Sequence, residues 1–218
     1  WAVWLPDYLE RYDPDSLRYL LSINMPETAD MDFSWREFLR RNNDELVATY
    51  GNLVHRVLTF TNRNFNGHVP TPGEIDASGN ALPEKARQTL ADVDRLLHDC
   101  HFRDGIKAAM GLAQEGNRYL DGKAPWKTVK QDRMAAATAC YVTLGAISCL
   151  KTVLYPFLPF SSQKLHRMLG FQGTVAEAGW TIQPVVPGQE LPKPEALFIK
   201  LDDSIVEEET AKLAAGRT

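Results

Sequence analysis

Two side chains suited to reading the polar edge of a nucleic-acid base stand four residues apart, at Asn52 and Arg56. Residues at this spacing share one face of an α-helix. The Asn52 amide can both donate and accept hydrogen bonds, and the planar guanidinium of Arg56 offers a fork of donors. Gly51 beside them costs helix stability and is tolerated best where another group approaches the backbone closely. The pair therefore predicts a base-binding site, with a solvated helix face as the alternative interpretation.

A third candidate, Trp126, directly follows Pro125 and lies between Lys123 and Lys127. A tryptophan in a turn usually folds back onto the core, and that is one interpretation of this residue. The other is a platform on which an unpaired base stacks, an interaction worth about 1–3 kcal/mol. RNA is read in this way mostly in single-stranded loops, where splayed bases expose faces and edges.

The remaining candidates for chemistry are weaker. His98 and His101 lie three residues apart, close to Asp94, Asp99 and Cys100, at a spacing compatible with metal binding. No second ligand pair with matching spacing occurs elsewhere, so we expect exposed or capping histidines and no metal site. The sequence also contains no glycine-rich phosphate loop and no convincing nucleophile, histidine and acid set, so we assign no catalytic residue.

The apolar periodicity predicts an all-α fold in which one long amphipathic helix, over residues 35–65, carries the Asn52 and Arg56 pair. Its inner seam repeats at alternating spacings of four and three residues, at Leu46, Tyr50, Leu53, Val57 and Phe60. A loop rich in proline and glycine is expected over residues 67–83. Further helices are expected at residues 5–12, 14–23, 84–101, 104–120, 163–169 and 202–214.

Residues 132–155 are apolar on nearly every side. A membrane span is one interpretation, but Thr138, Ser148 and Lys151 interrupt the stretch, so we expect a buried core helix. We expect Ser161 or Ser162 to cap the helix that follows.

The composition is that of a soluble globular protein, with 44% hydrophobic and 24% charged residues among 218. The net charge of -4 argues against non-specific nucleic-acid binding, because proteins that grip only the phosphate backbone are normally basic. Three cysteines without CxxC spacing, and no signal peptide, favour a reduced cytoplasmic protein.

Several of these stretches resemble a known family. The segments NNDELVATYGNLVHR, which ends at Arg56, and NRYLDGKAPWK, which contains Trp126, are similar to the anticodon-binding domain of methionyl-tRNA synthetases, which are class I aminoacyl-tRNA synthetases. The segments LPDYLERYDPDSLRYLL, PETADMDFSW and LFIKLDDSIVEEE extend the resemblance over nearly the whole chain. It implies linker helices over residues 1–34, a helical bundle over 35–170, and an irregular segment with a C-terminal helix packing back on the bundle over 171–218.

The resemblance also implies a function, which is recognition of the C-A-U anticodon of methionine tRNA. Asn52 and Arg56 match the family residues that hydrogen-bond the first anticodon base, and Trp126 matches the tryptophan that stacks on it. Asn117 lies in the same motif and is expected near the anticodon loop, with capping of the turn after its helix as an equally good alternative.

By the same resemblance, the catalytic domain and its HIGH-type and KMSKS-type signatures lie outside this chain, which we expect to be inactive alone. ATP, magnesium and any zinc of the parent enzyme belong to that domain, and no cofactor is expected here. The expected partners are the anticodon loop of methionine tRNA and the parent's catalytic domain, without a membrane. Two alternatives stay open, which are the corresponding domain of a cysteine, isoleucine, valine or leucine synthetase and a helical adaptor for another protein.

Overall fold

A computed structural model describes residues 3–27 and 32–215, with side chains as far as residue 212. Every regular element in these ranges is a helix, which confirms the predicted all-α fold. Residues 1, 2, 28–31 and 216–218, which belong to the predicted linker and C-terminal segments, lie outside the description. The helices are α1 (Leu5–Leu9), α2 (Pro14–Ile23), α3 (Trp35–Arg40), a π-helix (Arg41–Gly51), α4 (Asn52–Asn64), α5 (Ala77–His98), α6 (Phe102–Lys123), α7 (Pro125–Thr128), α8 (Arg133–Val153), α9 (Pro159–Met168), α10 (Val175–Ala178) and α11 (Ile205–Ala215).

The core forms where the long helices α5, α6 and α8 pack against one another and α4 closes one side. Helix α8 is long and apolar enough to cross a membrane, yet most of its residues are buried against other helices. Small side chains such as Ala136, Ala139 and Ala146 allow this close packing on several sides. The prediction of a buried core helix is therefore confirmed.

The loop predicted over residues 67–83 is shorter in the structure, because α5 begins at Ala77. The Asp76 carboxylate accepts a hydrogen bond from the Gly79 N–H at 2.7 Å and caps the start of α5. Pro83 consequently lies inside α5. The prediction that Pro83 belongs to a loop was wrong, because the cap at Asp76 and the packing of Leu82 in the core outweigh the backbone hydrogen bond that a proline forfeits.

The start of α9 is capped from a distant part of the chain. We expected Ser161 or Ser162 to cap it, but neither side chain does so. Instead, the Ser161 N–H donates to the carboxylate of Asp15 in α2 at 2.6 Å. Asp15 is fully buried, and burial raises the pKa of its carboxyl group. This bond joins the predicted linker helices to the bundle.

Substituting Asp15 tests that connection. Asp15→Ala should lower the free energy of unfolding by about 1–2 kcal/mol, because the buried Ser161 N–H loses its acceptor. Asp15→Asn is the control, since its amide oxygen still accepts that bond and the buried negative charge is gone. We expect the Asn variant to be at least as stable as the wild type at pH 7 in urea unfolding followed by circular dichroism. Equal midpoints for the Ala variant and the wild type would contradict this role.

The last helix, α11, packs mainly against α3. The Glu209 carboxylate is almost fully buried and accepts hydrogen bonds from Arg11, Tyr12 and Lys212. These contacts hold the C-terminal helix beside the linker helices. Tyr12 and Ile205 also pack against a second, largely aromatic cluster of buried residues, which consists of Tyr8, Leu17, Leu20, Trp35 and Phe38.

Candidate functional site

The helix predicted over residues 35–65 is continuous, but its central part is a π-helix and not an α-helix. The N–H of Asn52, the first residue of α4, donates to the carbonyl oxygens of Val47 and Thr49. A Cβ atom at Gly51 would lie only 2.9 Å from the Leu46 carbonyl oxygen. The group that approaches Gly51 closely is therefore a carbonyl of its own helix.

The predicted inner seam is buried at four of its five positions, and Phe60 is half-buried. The strip beside it behaves differently. Asn52 is exposed and Arg56 is half-buried, so the two side chains share the face that borders the core. They lie about one helical turn, or roughly 6 Å, apart along the axis of α4.

Arg56 in α4 contacts Trp126 in α7 and Asp121 in α6. Its guanidinium carbon lies 4.6 Å from the centroid of the Trp126 ring. Its Nη2 atom donates to the Asp121 carboxylate at 2.6 Å. The structure thus brings Arg56 and Trp126 together, and the cation–π contact and the ion pair both fix the guanidinium plane.

The platform itself is well anchored. Trp126 lies in the single turn of α7, behind Pro125, which is buried. It remains 41% exposed, so it does not fold back onto the core as the alternative interpretation required. The preceding residue, Ala124, has φ of 40° and is left-handed. The helix predicted over residues 104–120 runs further in the structure, because α6 continues to Lys123 and the reversal falls on Ala124.

The Asn52 side chain makes no hydrogen bond to any residue that the structure describes, and its amide is free to meet a ligand. Beside it lies an open hollow of about 400 Å³ with a largely apolar lining. The residues around this hollow are Val47, Ala48, Gly51, Asn52, His55, Ala196, Leu197 and Phe198.

Asn117 does not lie in the turn after its helix, where one of its two predicted roles placed it. It lies within α6, six residues before the end of that helix, and so it cannot cap the turn. Its Nδ2 atom donates to the carbonyl oxygens of Thr49 at 2.9 Å and Ala113 at 3.1 Å. Because both amide hydrogens are used inside the protein, Asn117 offers no free donor at the surface.

The two lysines near Trp126 differ in how available their charges are to a ligand. Lys123 donates to Asp76 at 2.5 Å, and this contact, together with hydrogen bonds from Gly79 and Ser78, lowers the pKa of the Asp76 carboxyl group to about 2. Lys127 is exposed. Lys127 is therefore the more available of the two flanking lysines.

Sequence reasoning missed Asp121, the partner of Arg56. A carboxylate four residues after Asn117 in the same helix was the available signal. His98, which we considered as a metal ligand, has a side chain that is 80% exposed. Among the residues described, no group of three or more histidine, cysteine, aspartate or glutamate side chains could hold a metal ion.

Comparison with known families identifies the chain. The sequence model of the anticodon binding domain of methionyl tRNA ligase matches residues 69–218, and that of class I (M) tRNA synthetases matches residues 1–58. The chain belongs to the methionyl-tRNA ligase family. It is 57% identical over 212 residues to a methionine–tRNA ligase of Dehalococcoides mccartyi and 43% identical over 241 residues to that of Roseiflexus castenholzii.

These matches cover 97% and 99% of the chain but only 38% and 40% of the two ligases, so the chain spans about two fifths of their length. Among solved structures, the apo form of Mycobacterium tuberculosis methionyl-tRNA synthetase superimposes with a TM-score of 0.85 at 26% identity. That alignment covers 92% of this chain and 41% of the other. The predicted identity as a methionyl-tRNA synthetase anticodon-binding domain is confirmed, against both alternatives left open by the sequence.

Proposed function

We propose that this chain recognises the C-A-U anticodon of methionine tRNA through Asn52, Arg56 and Trp126. The observation that carries the proposal is the Arg56 guanidinium held 4.6 Å over the Trp126 ring, one helical turn from the free amide of Asn52. An aromatic face, a fork of donors and an amide are thus presented on one surface. This combination suits an unpaired base, because the base offers a face for stacking and a polar edge for hydrogen bonding.

The geometry limits how the base enters. Arg56 already covers one face of the Trp126 indole, so a base stacks on the opposite face. The Asp121 contact uses Nη2 of Arg56 and leaves the other guanidinium nitrogens for the base edge. Asn52 supplies an oxygen that accepts from the cytosine amino group, or an N–H₂ that donates to its ring acceptors.

A site of this kind discriminates by leaving its own polar groups unpaired when the wrong base enters. Arg56 is already held by Trp126 and Asp121, so little ordering of its side chain is needed when the correct base binds. A pair of well-placed hydrogen bonds to a base edge discriminates by about 1–3 kcal/mol. Methionine tRNA is thereby separated from tRNAs whose anticodons differ at the first base.

The proposal places catalysis elsewhere in the parent protein. The parent attaches methionine to its tRNA with ATP and magnesium, in a catalytic domain to which this chain is joined, and any zinc also belongs to that domain. This chain needs no cofactor for its own part, and it works in the cytoplasm, where tRNA is charged. Asn117 contributes inside the domain and not through direct contact with RNA, since its donors are already bonded to Thr49 and Ala113.

The test is a titration of this chain with two labelled anticodon stem-loops, one carrying C-A-U and one with uracil at the first position. We expect the wild type to bind the C-A-U loop more tightly by about 1–3 kcal/mol. Asn52→Ala should reduce that difference, because the amide that reads the base edge is absent. Fluorescence anisotropy at fixed salt measures both affinities.

Thr59→Ala is the matched control, because it removes a polar group from the same face of α4 two helical turns from Asn52. It should leave the preference intact. Equal affinity of the wild type for the two loops would refute first-base recognition by this domain. An equal preference in the wild type and Asn52→Ala would show that Asn52 does not read the first base.

A further inference from the structure

The carbonyl oxygen of Thr49 connects the π-helix to α6 by hydrogen bonds. It accepts the backbone N–H of Asn52 and also the Nδ2 of Asn117, at 2.9 Å. The Thr49 hydroxyl donates in turn to the Asp44 carbonyl oxygen, five residues earlier, at 2.9 Å. Asn117 thus binds the same oxygen that holds the backbone of the proposed base-reading residue.

Gly51 contributes by having no side chain. In a π turn the hydrogen bond spans five residues, which brings the Leu46 carbonyl within 2.9 Å of the position that a Cβ at residue 51 would occupy. That distance is shorter than any ordinary contact of a Cβ atom with a backbone oxygen. The Phe198 ring, 3.5 Å from the same position, closes the other side. Any larger residue at position 51 must therefore displace the widened turn.

The register of the π turns decides the orientation of Asn52. Each residue of an α-helix advances about 100° around the axis. Asn52 is the first α-helical residue after the π-helix, so it is the side chain most affected if the wide turns tighten. Arg56 lies a full turn further on and is held independently by Trp126 and Asp121. A change in the π turns thus alters the spacing between the two groups that read the base.

We propose that Asn117 and Gly51 are positioning residues that set base selectivity by holding the π turns in front of Asn52. The inference rests on the proposed function and deepens it, because it assigns selectivity to two residues that do not touch the RNA. Stacking on Trp126 is unaffected by these turns. Loss of Asn117 or Gly51 therefore reduces the preference for cytosine more than it reduces overall binding.

The experiment compares the wild-type chain with Asn117→Ala and Gly51→Ala, using the C-A-U stem-loop and the loop with uracil at the first position. The expected wild-type preference is about 10-fold, and it should fall below about 3-fold in both variants. Gly111→Ala is the matched control, since a Cβ at this helical glycine meets nothing within 4 Å. It should keep the wild-type preference. Melting temperatures measured on the same samples identify any variant that is not folded.

A second readout follows the position of Asn52 without RNA. The ¹H–¹⁵N resonances of its backbone and side-chain amides should shift in Asn117→Ala and stay unchanged in Gly111→Ala. A folded Asn117→Ala protein that keeps the full wild-type preference overturns the inference. If the wild type itself does not distinguish the loops, the proposed function fails, and unshifted Asn52 resonances in Asn117→Ala then overturn the positioning role as well.

Discussion

Trp126→Ala is expected to weaken binding of the C-A-U stem-loop by about 1–3 kcal/mol, the contribution of one base stacked on an aromatic side chain. The loss has two sources in this structure. The base loses the open face of the indole, and Arg56 loses the ring that lies 4.6 Å beneath its guanidinium. Its ion pair with the exposed Asp121 remains, but a single contact fixes the guanidinium plane less well.

A loop with an abasic first anticodon position separates these sources. If Trp126 stacks on that base, the wild type should lose affinity for the abasic loop, and Trp126→Ala should add little further loss. Such non-additivity is the signature of two groups in direct contact. Trp4→Ala is the control, because Trp4 is 71% exposed and directly precedes α1 as its N-cap residue. Fully additive losses would show that the base does not stack on Trp126.

The sequence predicted several helices well from an apolar stripe that faces the core. The seam from Leu46 to Val57 is buried, and α2 and α8 begin within one residue of the expected positions. Their starts were predictable because Asp13 and Asp132 each accept a backbone N–H of the first turn. Periodicity and local capping were sufficient in these cases.

The features that periodicity could not predict depend on contacts distant in the sequence. The π turns rest partly on Asn117, 68 residues after Thr49, and the cap of α9 comes from Asp15, 146 residues before Ser161.

In the candidate site, too, the local features were predictable from the sequence and the contacts between distant residues were not. The spacing of Asn52 and Arg56 placed both on one helix, and the proline before Trp126 indicated a rigid turn. The contact between Arg56 and Trp126 joins residues 70 positions apart, and the Asp121 ion pair joins residues 65 apart. Local patterns carry no information on such pairings. The family resemblance assigned Arg56 and Trp126 to the same base, and nothing in the sequence analysis suggested Asp121.

The second large effect concerns stability and arises at Lys151, the charged residue in the last turn of α8. Its side chain is fully buried, and Nζ donates to the Gln183 side chain at 2.5 Å and lies 5.1 Å from the Phe171 ring centroid. No carboxylate is paired with it among the residues described. Burial therefore lowers the pKa of the Lys151 ammonium from 10.5 to about 8.

The sign of the pH dependence follows from proton counting. Between pH 8 and 10.5 the folded protein has released the Lys151 proton while the unfolded chain still binds it. Stability contributed by this group therefore rises with pH across that window, and below pH 8 the buried charge is a cost. A pKa shift of this size corresponds to a destabilisation of the folded protein by about 3 kcal/mol at neutral pH. A residue of similar volume without the charge removes part of that destabilisation.

Lys151→Met is accordingly expected to raise the free energy of unfolding at pH 7 by about 1–3 kcal/mol, because methionine fills the space of the lysine stem without a charge. The advantage should shrink by roughly 1 kcal/mol for each pH unit above 8, as the wild-type lysine becomes neutral in the folded state. The nearby Cys149 thiol, whose pKa burial raises to about 12, is present in both proteins and largely cancels in the difference. Urea unfolding at pH 7, 8 and 9 measures the effect, with Lys130→Met at an exposed lysine as control. A constant difference across these pH values, or a less stable Met variant at pH 7, would show that the Gln183 and Phe171 contacts fully compensate the buried charge.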